Sequence, residues 1–377
     1  MIGDYVIFQR DRSGALKQRL IDVSSVDILE KVNDVGSWNI KSVTTYACPF
    51  AEGDGIIIFR DGRYCFSGFM LSANETYDSY TDLYTWEVSG VSDLAYLSRR
   101  VCYPDPEGGD TTAVGYYTDS GRIADVVKRL IDRNVGISAL PERREAIAGE
   151  TVVDERGDNV SVSVRFSNLL QTVVGLLDEQ AMTIRVMWDD DAKKVYYQTF
   201  KSADLSESLL FSVELNTLER LEHTLTAPDG NYVISAGQGE LTERSFAYAV
   251  NTTSVSKWGR IEYYHDMRAT VDAELQTDAD VTLSKFSDQQ EGYTCDIPIS
   301  DGLPQYRTDW NLGDFVTVAH GNKLFVERVL QVRTRIDATN ETITPTIGTV
   351  TESTLKKIFG QLGTLRSDVE QLQNVSR

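Results

Sequence analysis

Cysteine is scarce and scattered. Its four residues, Cys48, Cys65, Cys102 and Cys295, form no CxxC pair, so neither a zinc site nor a disulfide framework is indicated and reduced, mostly buried thiols are expected. Histidine is scarcer still: His223, His265 and His320 lie far apart, and no HExxH, GxSxG or Walker-type phosphate loop occurs. No run of about 18 uncharged apolar residues is present, so no membrane-spanning helix is expected. The opening MIGDYVIFQRD carries no basic leader, so no export signal is expected either. A basic excess is also missing. The 57 Asp plus Glu against 37 Lys plus Arg leave a formal charge of −20, with the acidic residues spread along the chain. Such a surface repels phosphate backbones and argues against ordinary nucleic-acid binding. It serves either solubility or a conduit to which DNA must not adhere.

What is present suits several packed cores. Hydrophobic residues make up 41% of 377 residues, with 18 Tyr and 13 Phe. Bulk disorder is therefore not expected, and two or three domains are the natural division of this length. Short alternating segments dominate the first 95 residues. Ile56 to Phe59, Asp61-Gly62 and Tyr64 to Phe66 read as a β-hairpin. From Asp93 the texture changes. Ser120 is placed to cap a helix carrying Ile123, Val126, Val127, Leu130 and Ile131, with Gly136 after its end. A second helix follows Ser167, and residues 182–200 read as two strands around an acidic turn.

An internal repeat emerges when the chain is laid on itself. Residues 53–71, GDGIIIFRDGRYCFSGFML, align with residues 313–330, GDFVTVAHGNKLFVERVL, across one single-residue gap. Gly53-Asp54 corresponds to Gly313-Asp314, Asp61-Gly62 to Gly321-Asn322, and Phe66 to Phe325. The four Gly/Asp/Asn pairs, Gly53-Asp54, Asp61-Gly62, Gly313-Asp314 and Gly321-Asn322, are expected to form the turns of two related hairpins, with Phe66 and Phe325 in their second strands. Between the copies, residues 263–286 read as a strand and then a helix, an insertion in the second β-domain.

The last segment follows heptads. Leu355, Leu362 and Val369 occupy a positions, and Ile358, Leu365 and Leu372 occupy d positions. This predicts a coiled-coil seam between copies, or else a single helix folded back on its own domain. Gly360 and Gly363 weaken the helix from its outer face.

Four stretches, VSGVSDLAYLSRRVCYP (88–104), ISAGQGELTERSF (234–246), WGRIEYYHDMRATVDAEL (258–275) and YRTDWNLGDFVTV (306–318), together resemble a siphophage minor tail protein family, whose members are similar to the baseplate hub of contractile phages. The resemblance covers about residues 1–350. It implies two β-barrel domains per subunit and a trimer whose six barrels form a ring matching the sixfold tail tube above and threefold symmetry below. It also implies the distal end of the virion tail as the location, after assembly in the host cytoplasm. The implied neighbours are a tail tube or distal tail protein above and a fibre, spike or other tail-tip protein below, with DNA passing through unbound.

The expected fold is thus multi-domain α+β: a β-barrel-like domain at 1–95, a mixed α+β domain at 96–210, a second β-barrel-like domain at 211–350 interrupted at about 240–300, and a coiled-coil helix at 351–377. The expected function is structural and non-enzymatic, with no cofactor and no metal. Rival readings are a tail-associated cell-wall hydrolase and a receptor- or carbohydrate-binding protein whose five Trp and many Tyr stack on sugars. His265-Asp266 beside Tyr263 and Tyr264 is the best local acid–base pair. Asp189-Asp190-Asp191 lacks the glycine and terminal Glu of an EF-hand, and Gly237-Gln238-Gly239 lacks the third glycine of a dinucleotide loop. Both read as turns.

Overall fold

A computed structural model describes residues 5–348 apart from 110–111, 113, 147, 149–156, 269–271, 288–289 and 298–301; the heptad positions Leu355 to Leu372 lie outside the described residues. The fold is mixed α+β and mostly β. Two compact units divide it. The first takes the described residues through Leu221 together with Cys295–Thr346, and the second takes Glu222–Thr294 with Ile347 and Gly348. The expected borders at 95/96 and 210/211 both fall inside the first unit.

The chain opens with seven strands, β1 (Tyr5–Arg10), β2 (Leu16–Leu20), β3 (Val23–Lys31), β4 (Asp34–Thr44), β5 (Gly55–Arg60), β6 (Arg63–Asp78) and β7 (Leu83–Ser92). A mixed segment follows: α1 (Ala95–Ser98), β8 (Tyr117–Arg122), α2 (Ile123–Asn134), β9 (Asn159–Val164), α3 (Leu169–Asp178), β10 (Met182–Asp189) and β11 (Lys194–Lys201). Next come β12 (Leu210–Phe211) and β13 (Arg220–Thr226). The second unit supplies β14 (Tyr232–Ala236), β15 (Phe246–Val250), α4 (Thr252–Trp258), β16 (Glu262–Asp266) and α5 (Asp272–Phe286). The chain finishes with β17 (Gln290–Asp296), β18 (Phe315–His320), β19 (Lys323–Asp337) and β20 (Glu341–Gly348).

One large sheet contains thirteen of these strands. Apart from β2, which pairs with β1 at one end, its first part runs β1-β5-β6-β7-β4-β3, and its second part runs β12-β18-β19-β20-β17-β13. In chain order the members correspond one to one, so the same strand path is traced twice. The two parts meet where β3 and β19 pair antiparallel, from Lys31↔Gln331 to Ser25↔Asp337. One member departs from the correspondence: β1 is antiparallel to β5, whereas β12 is parallel to β18. The second unit has its own three-stranded sheet, β15-β14-β16. Its α5 buries Leu275 and Ala279 against Val233, Ala247 and Ala249.

Period-2 alternation explains the strands. Along β4, Trp38, Ile40, Ser42 and Thr44 are buried while Ser37, Lys41 and Val43 are exposed. Trp38 lies against the backbone at Gly68 and Gly90, where an added Cβ would come within 2.7 Å and 2.6 Å of its indole. Helix α2 buries Ile123, Val126, Val127, Leu130 and Ile131, the i, i+3, i+4, i+7, i+8 stripe read from the sequence. Its cap differs from expectation: Ser120 lies in β8, paired with Ser161, and the N-cap is Arg122 without a side-chain cap. The β8–β9 ladder runs through Arg122, so the strand claims the backbone that a serine cap would have needed. The α2 stripe packs with Leu169, Leu170, Val173 and Leu177 of α3, with Tyr197 of β11, and with Ile57 and Phe69 of the first hairpin.

One buried ion pair ties these layers together. Arg10 Nη2 lies 2.5 Å from Asp93 Oδ1, and both side chains are fully buried. Ser67 Oγ donates to the other Asp93 oxygen (2.6 Å), and Tyr197 Oη donates to the Asp93 carbonyl (3.1 Å). Removing one partner strands the other charge without water, which costs about 3–5 kcal/mol. Asp93→Ala is therefore expected to destabilise the first unit by that amount. Arg333→Ala, which breaks an exposed pair with Asp27, should cost under about 1 kcal/mol. Denaturant unfolding followed by tryptophan fluorescence checks both values. The signal is dominated by the first unit, which holds Trp38, Trp86, Trp188 and Trp310, and a Trp258→Phe background removes the contribution of the second.

Candidate functional site

The two aligned segments adopt the same local structure, atom for atom at several points. In the first, the Asp54 N–H donates to the Ala51 carbonyl (3.1 Å), closing a turn with Gly53 at φ +81. In the second, the Asp314 N–H donates to the Asn311 carbonyl (3.2 Å), with Gly313 at φ +94. Each aspartate folds back onto its own turn, accepting from the Ala51 N–H at 2.7 Å and from the Asn311 N–H at 2.8 Å. Each aspartate carbonyl then accepts from the returning strand, from Met70 and Val329 respectively, both at 2.9 Å. A left-handed third residue is what a type II turn requires, which accounts for glycine at both positions.

Gly53-Asp54 and Gly313-Asp314, which begin the two aligned segments, form the lead-in turns before β5 and β18. Their aspartates serve as buried acceptors at the mouth of each hairpin. The hairpin tips themselves are Asp61-Gly62, between paired Arg60 and Arg63, and Gly321-Asn322, between paired His320 and Lys323. Both tip residues of the first are left-handed (φ +49 and +74), and in the second only Gly321 is (φ +59). These are the I′ and II′ patterns that suit two-residue hairpins. The one-residue gap also has a physical form. Ile58 pairs with Phe66 and Phe59 with Tyr64, so Cys65 is a bulge that β19 lacks, its ladder with β18 being regular.

Beside the first hairpin tip lies a cavity of about 580 Å³, lined by β3, the β5–β6 tip, β10 and residues 305–312. Glu30 is its anchor. It accepts both oxygens' worth of hydrogen bonds from Arg307 Nη2 (2.8 Å each) and one from Tyr306 Oη (3.0 Å). Arg185 donates to the Leu312 carbonyl (2.7 Å) and lies over the Phe200 ring at 4.6 Å, and burial pushes its guanidinium pKa down. Cys65 also lines the cavity, and burial pushes its thiol up, away from a reactive thiolate. No sequence signal announced this cavity, because its walls come from four segments separated by up to hundreds of residues.

The residues singled out for chemistry are dispersed. His265 does not engage Asp266; its Nδ1 lies 3.1 Å from Asp278 Oδ2 and 3.1 Å from Thr282 Oγ1. Ser235 donates to the same Asp278 oxygen (3.0 Å), so the carboxylate and not the imidazole is the serine's partner. That order does not make an activated serine, which needs the base at its hydroxyl. Asp266 pairs with Arg244 and Arg268. Asp189 Oδ1 accepts from the N–H groups of Asp191 and Ala192 (2.9 Å each), which makes a turn. Among the described residues no group of three or more His, Cys, Asp or Glu could hold a metal ion. Gly237-Gln238-Gly239 is a turn closed by Ser245, with Gly239 at φ +92. Trp38, Trp86, Trp188 and Trp310 are buried, leaving Trp258 as the tryptophan exposed for stacking on a sugar.

Comparison with known proteins adds the following. A family model described as Siphovirus ReqiPepy6 Gp37-like protein matches residues 6–349. No curated protein matches the chain. Among solved structures, it is similar to the 43 kDa tail protein of prophage MuSo2 from Shewanella oneidensis, at TM-score 0.59 and 9% identity, covering 91% of this chain and 96% of that one. A tail protein from Neisseria meningitidis MC58 gives 0.55 and 11%, covering 92% and 96%. Prophage tail protein gp18 from Listeria monocytogenes EGD-e gives 0.50 and 12%, covering 96% and 99%. At these identities the likeness is one of fold.

The lead-in turns generate a prediction. At Gly313 a Cβ would meet Thr183 Cγ2 at 2.5 Å in a left-handed backbone, whereas at Gly62 it would meet nothing within 4 Å. Gly62→Ala should therefore cost about 1–2 kcal/mol from backbone strain alone, and Gly313→Ala measurably more. Urea midpoints of the two variants, compared at constant slope, test the difference.

Proposed function

We propose, from the premise that this chain belongs to the Siphovirus ReqiPepy6 Gp37-like protein family of phage tail structural proteins, that it is a trimeric hub at the distal tip of the tail. The observation that carries this reading is the doubled strand path, β1-β5-β6-β7-β4-β3 and β12-β18-β19-β20-β17-β13. Two equivalent halves in one chain let three chains present six equivalent faces. That is the arithmetic needed to close a sixfold tube above while offering threefold symmetry to a spike or fibre below. On this reading residues 1–95 and 211–350 are barrel-like tube domains, with the segment 96–210 buttressing them.

Charge supplies the second element. Three copies triple the formal −20 of each chain, and acidic groups facing a central channel repel the phosphates of DNA passing through it. Passage without adhesion is the role assigned to that charge. Residues 351–377, with Leu355, Ile358, Leu362, Leu365, Val369 and Leu372 at the seam positions, are proposed as a coiled coil joining the three chain ends.

Sedimentation equilibrium tests the assembly. A complex of three 42.2 kDa chains is expected at micromolar concentration, and a monomer at all concentrations, alone and with a tail tube protein, would overturn the hub. A chain ending at residue 350 should dissociate at a higher concentration than the full chain. Equal dissociation would remove the seam from the account while leaving the ring.

A further inference from the structure

Strand β6 has an uncovered flank. Residues Ser72 to Asp78 pair with β7 on one side, from Ser72↔Ser89 to Asp78↔Leu83. Among the described residues no strand lies on the other side, and residues 71–82 are all exposed. A long exposed edge is a liability that proteins usually blunt with proline, lysine or a cover. This one, LSANETYDSYTD, carries neither proline nor lysine.

The second half of the chain shows how the equivalent edge is covered. Beyond the Cys65 bulge, Leu71 aligns with Leu330, so Ser72 to Asp78 correspond to Gln331 to Asp337 of β19. That stretch is paired with β3, and its alternate residues Val332, Thr334 and Ile336 are buried, whereas the corresponding Ala73, Glu75 and Tyr77 are exposed. The strand that holds the place of β3 in the second half is β13. It ends the sheet path, with β17 as its strand neighbour.

We infer that β13 of a second copy of this chain adds antiparallel to the β6 edge, repeating between chains the β3–β19 ladder made within one. Each copy offers one β6 edge and one β13, so the contact is head-to-tail and closes only as a ring. Closure at three copies rests on the hub reading; the pairing itself rests on the strand equivalence. The backbone polarity of the edge follows from the same template. The Leu330 carbonyl accepts from the Val32 N–H (2.9 Å), so alternation directs the backbone of Val332, Thr334 and Ile336 at β3. Ala73, Glu75 and Tyr77 accordingly direct theirs at the incoming strand.

Ala73→Pro deletes one outward N–H and leaves the ladder to β7 intact, since proline is tolerated on an edge. Amide exchange and mass measured on the full chain and on this variant form the test. The full chain is expected as a trimer in which the amides of Ala73, Glu75 and Tyr77 exchange about tenfold or more slowly than those of the tip at 79–82. Ala73→Pro is expected to dissociate at a higher concentration than the full chain, with an unchanged circular dichroism spectrum and with those amides released. A trimer whose β6 edge exchanges as fast as the tip overturns the pairing and leaves the hub standing. So does an Ala73→Pro chain that dissociates at the same concentration as the full chain, or protection that arises only when a different tail protein is added. A full chain that never associates overturns both. Should Ala73→Pro not fold, the exchange pattern of the unaltered trimer decides alone.

Discussion

The architecture depends on one ladder, the antiparallel pairing of β3 with β19. It joins residues about 300 positions apart in the chain and fuses two six-strand paths into one sheet. Its exposed ion pairs, Arg333 and Arg335 with Asp27, contribute little at these exposures. The buried alternation does more: Val26 lies opposite Ile336 and Ile28 opposite Thr334, and Val26, Ile28, Val332 and Ile336 are all nearly inaccessible to water. A slip of β19 by one residue would turn Val332 and Ile336 outward and bring Arg333 and Arg335 into the core. The register is therefore fixed by burial, and with it the relation of one half of the sheet to the other.

Much of the local structure was legible beforehand because its causes are local. Asp61-Gly62 between apolar runs is enough to specify a two-residue hairpin, and the spacing of Ile123, Val126, Val127, Leu130 and Ile131 is enough to specify a helix face. The acidic run Asp189 to Asp191 sits in a turn because the Asp189 side chain caps the N–H groups of Asp191 and Ala192, as short polar side chains do. Start signals were less legible. Ser120 has the right chemistry for a cap, but a strand ladder took its backbone first. The Gly-Asp pairs stand out in the sequence only as the start of each copy, and their glycines bend the chain before the hairpin while their aspartates hold that bend.

Non-local features left almost no trace in the sequence. The alignment of residues 53–71 with 313–330 hinted at duplication, and its single gap became intelligible only as a bulge at Cys65. The strand order that makes the duplication complete cannot be read from periodicity, since period 2 records which face is buried and not which strand lies alongside. The cavity anchored by Glu30 belongs to the same class: Arg307 reaches it from 277 residues away. The similar solved structures are only 9 to 12% identical, so the roles of such side chains have to be argued from this chain's own geometry.

The two halves differ most at one point, and the difference follows from packing. In the first half β3 passes to β4 through Val32 and Asn33. Asn33 is left-handed at φ +53 and buried, and its amide is consumed: Nδ2 donates to Asp178 Oδ1 and the Met182 carbonyl, and Oδ1 accepts from the Ile184 N–H. A turn plugged into α3 and β10 in this way cannot be lengthened without breaking three hydrogen bonds in a place closed to water. The corresponding turn of the second half, between β13 and β17, carries residues 227–289 instead. Hairpin ends tolerate insertion because loop closure grows only slowly with length, provided nothing else is bonded to the turn. The sheet path is the same in both halves because the insertion entered at the one equivalent turn that the neighbouring helix and strand had not already claimed.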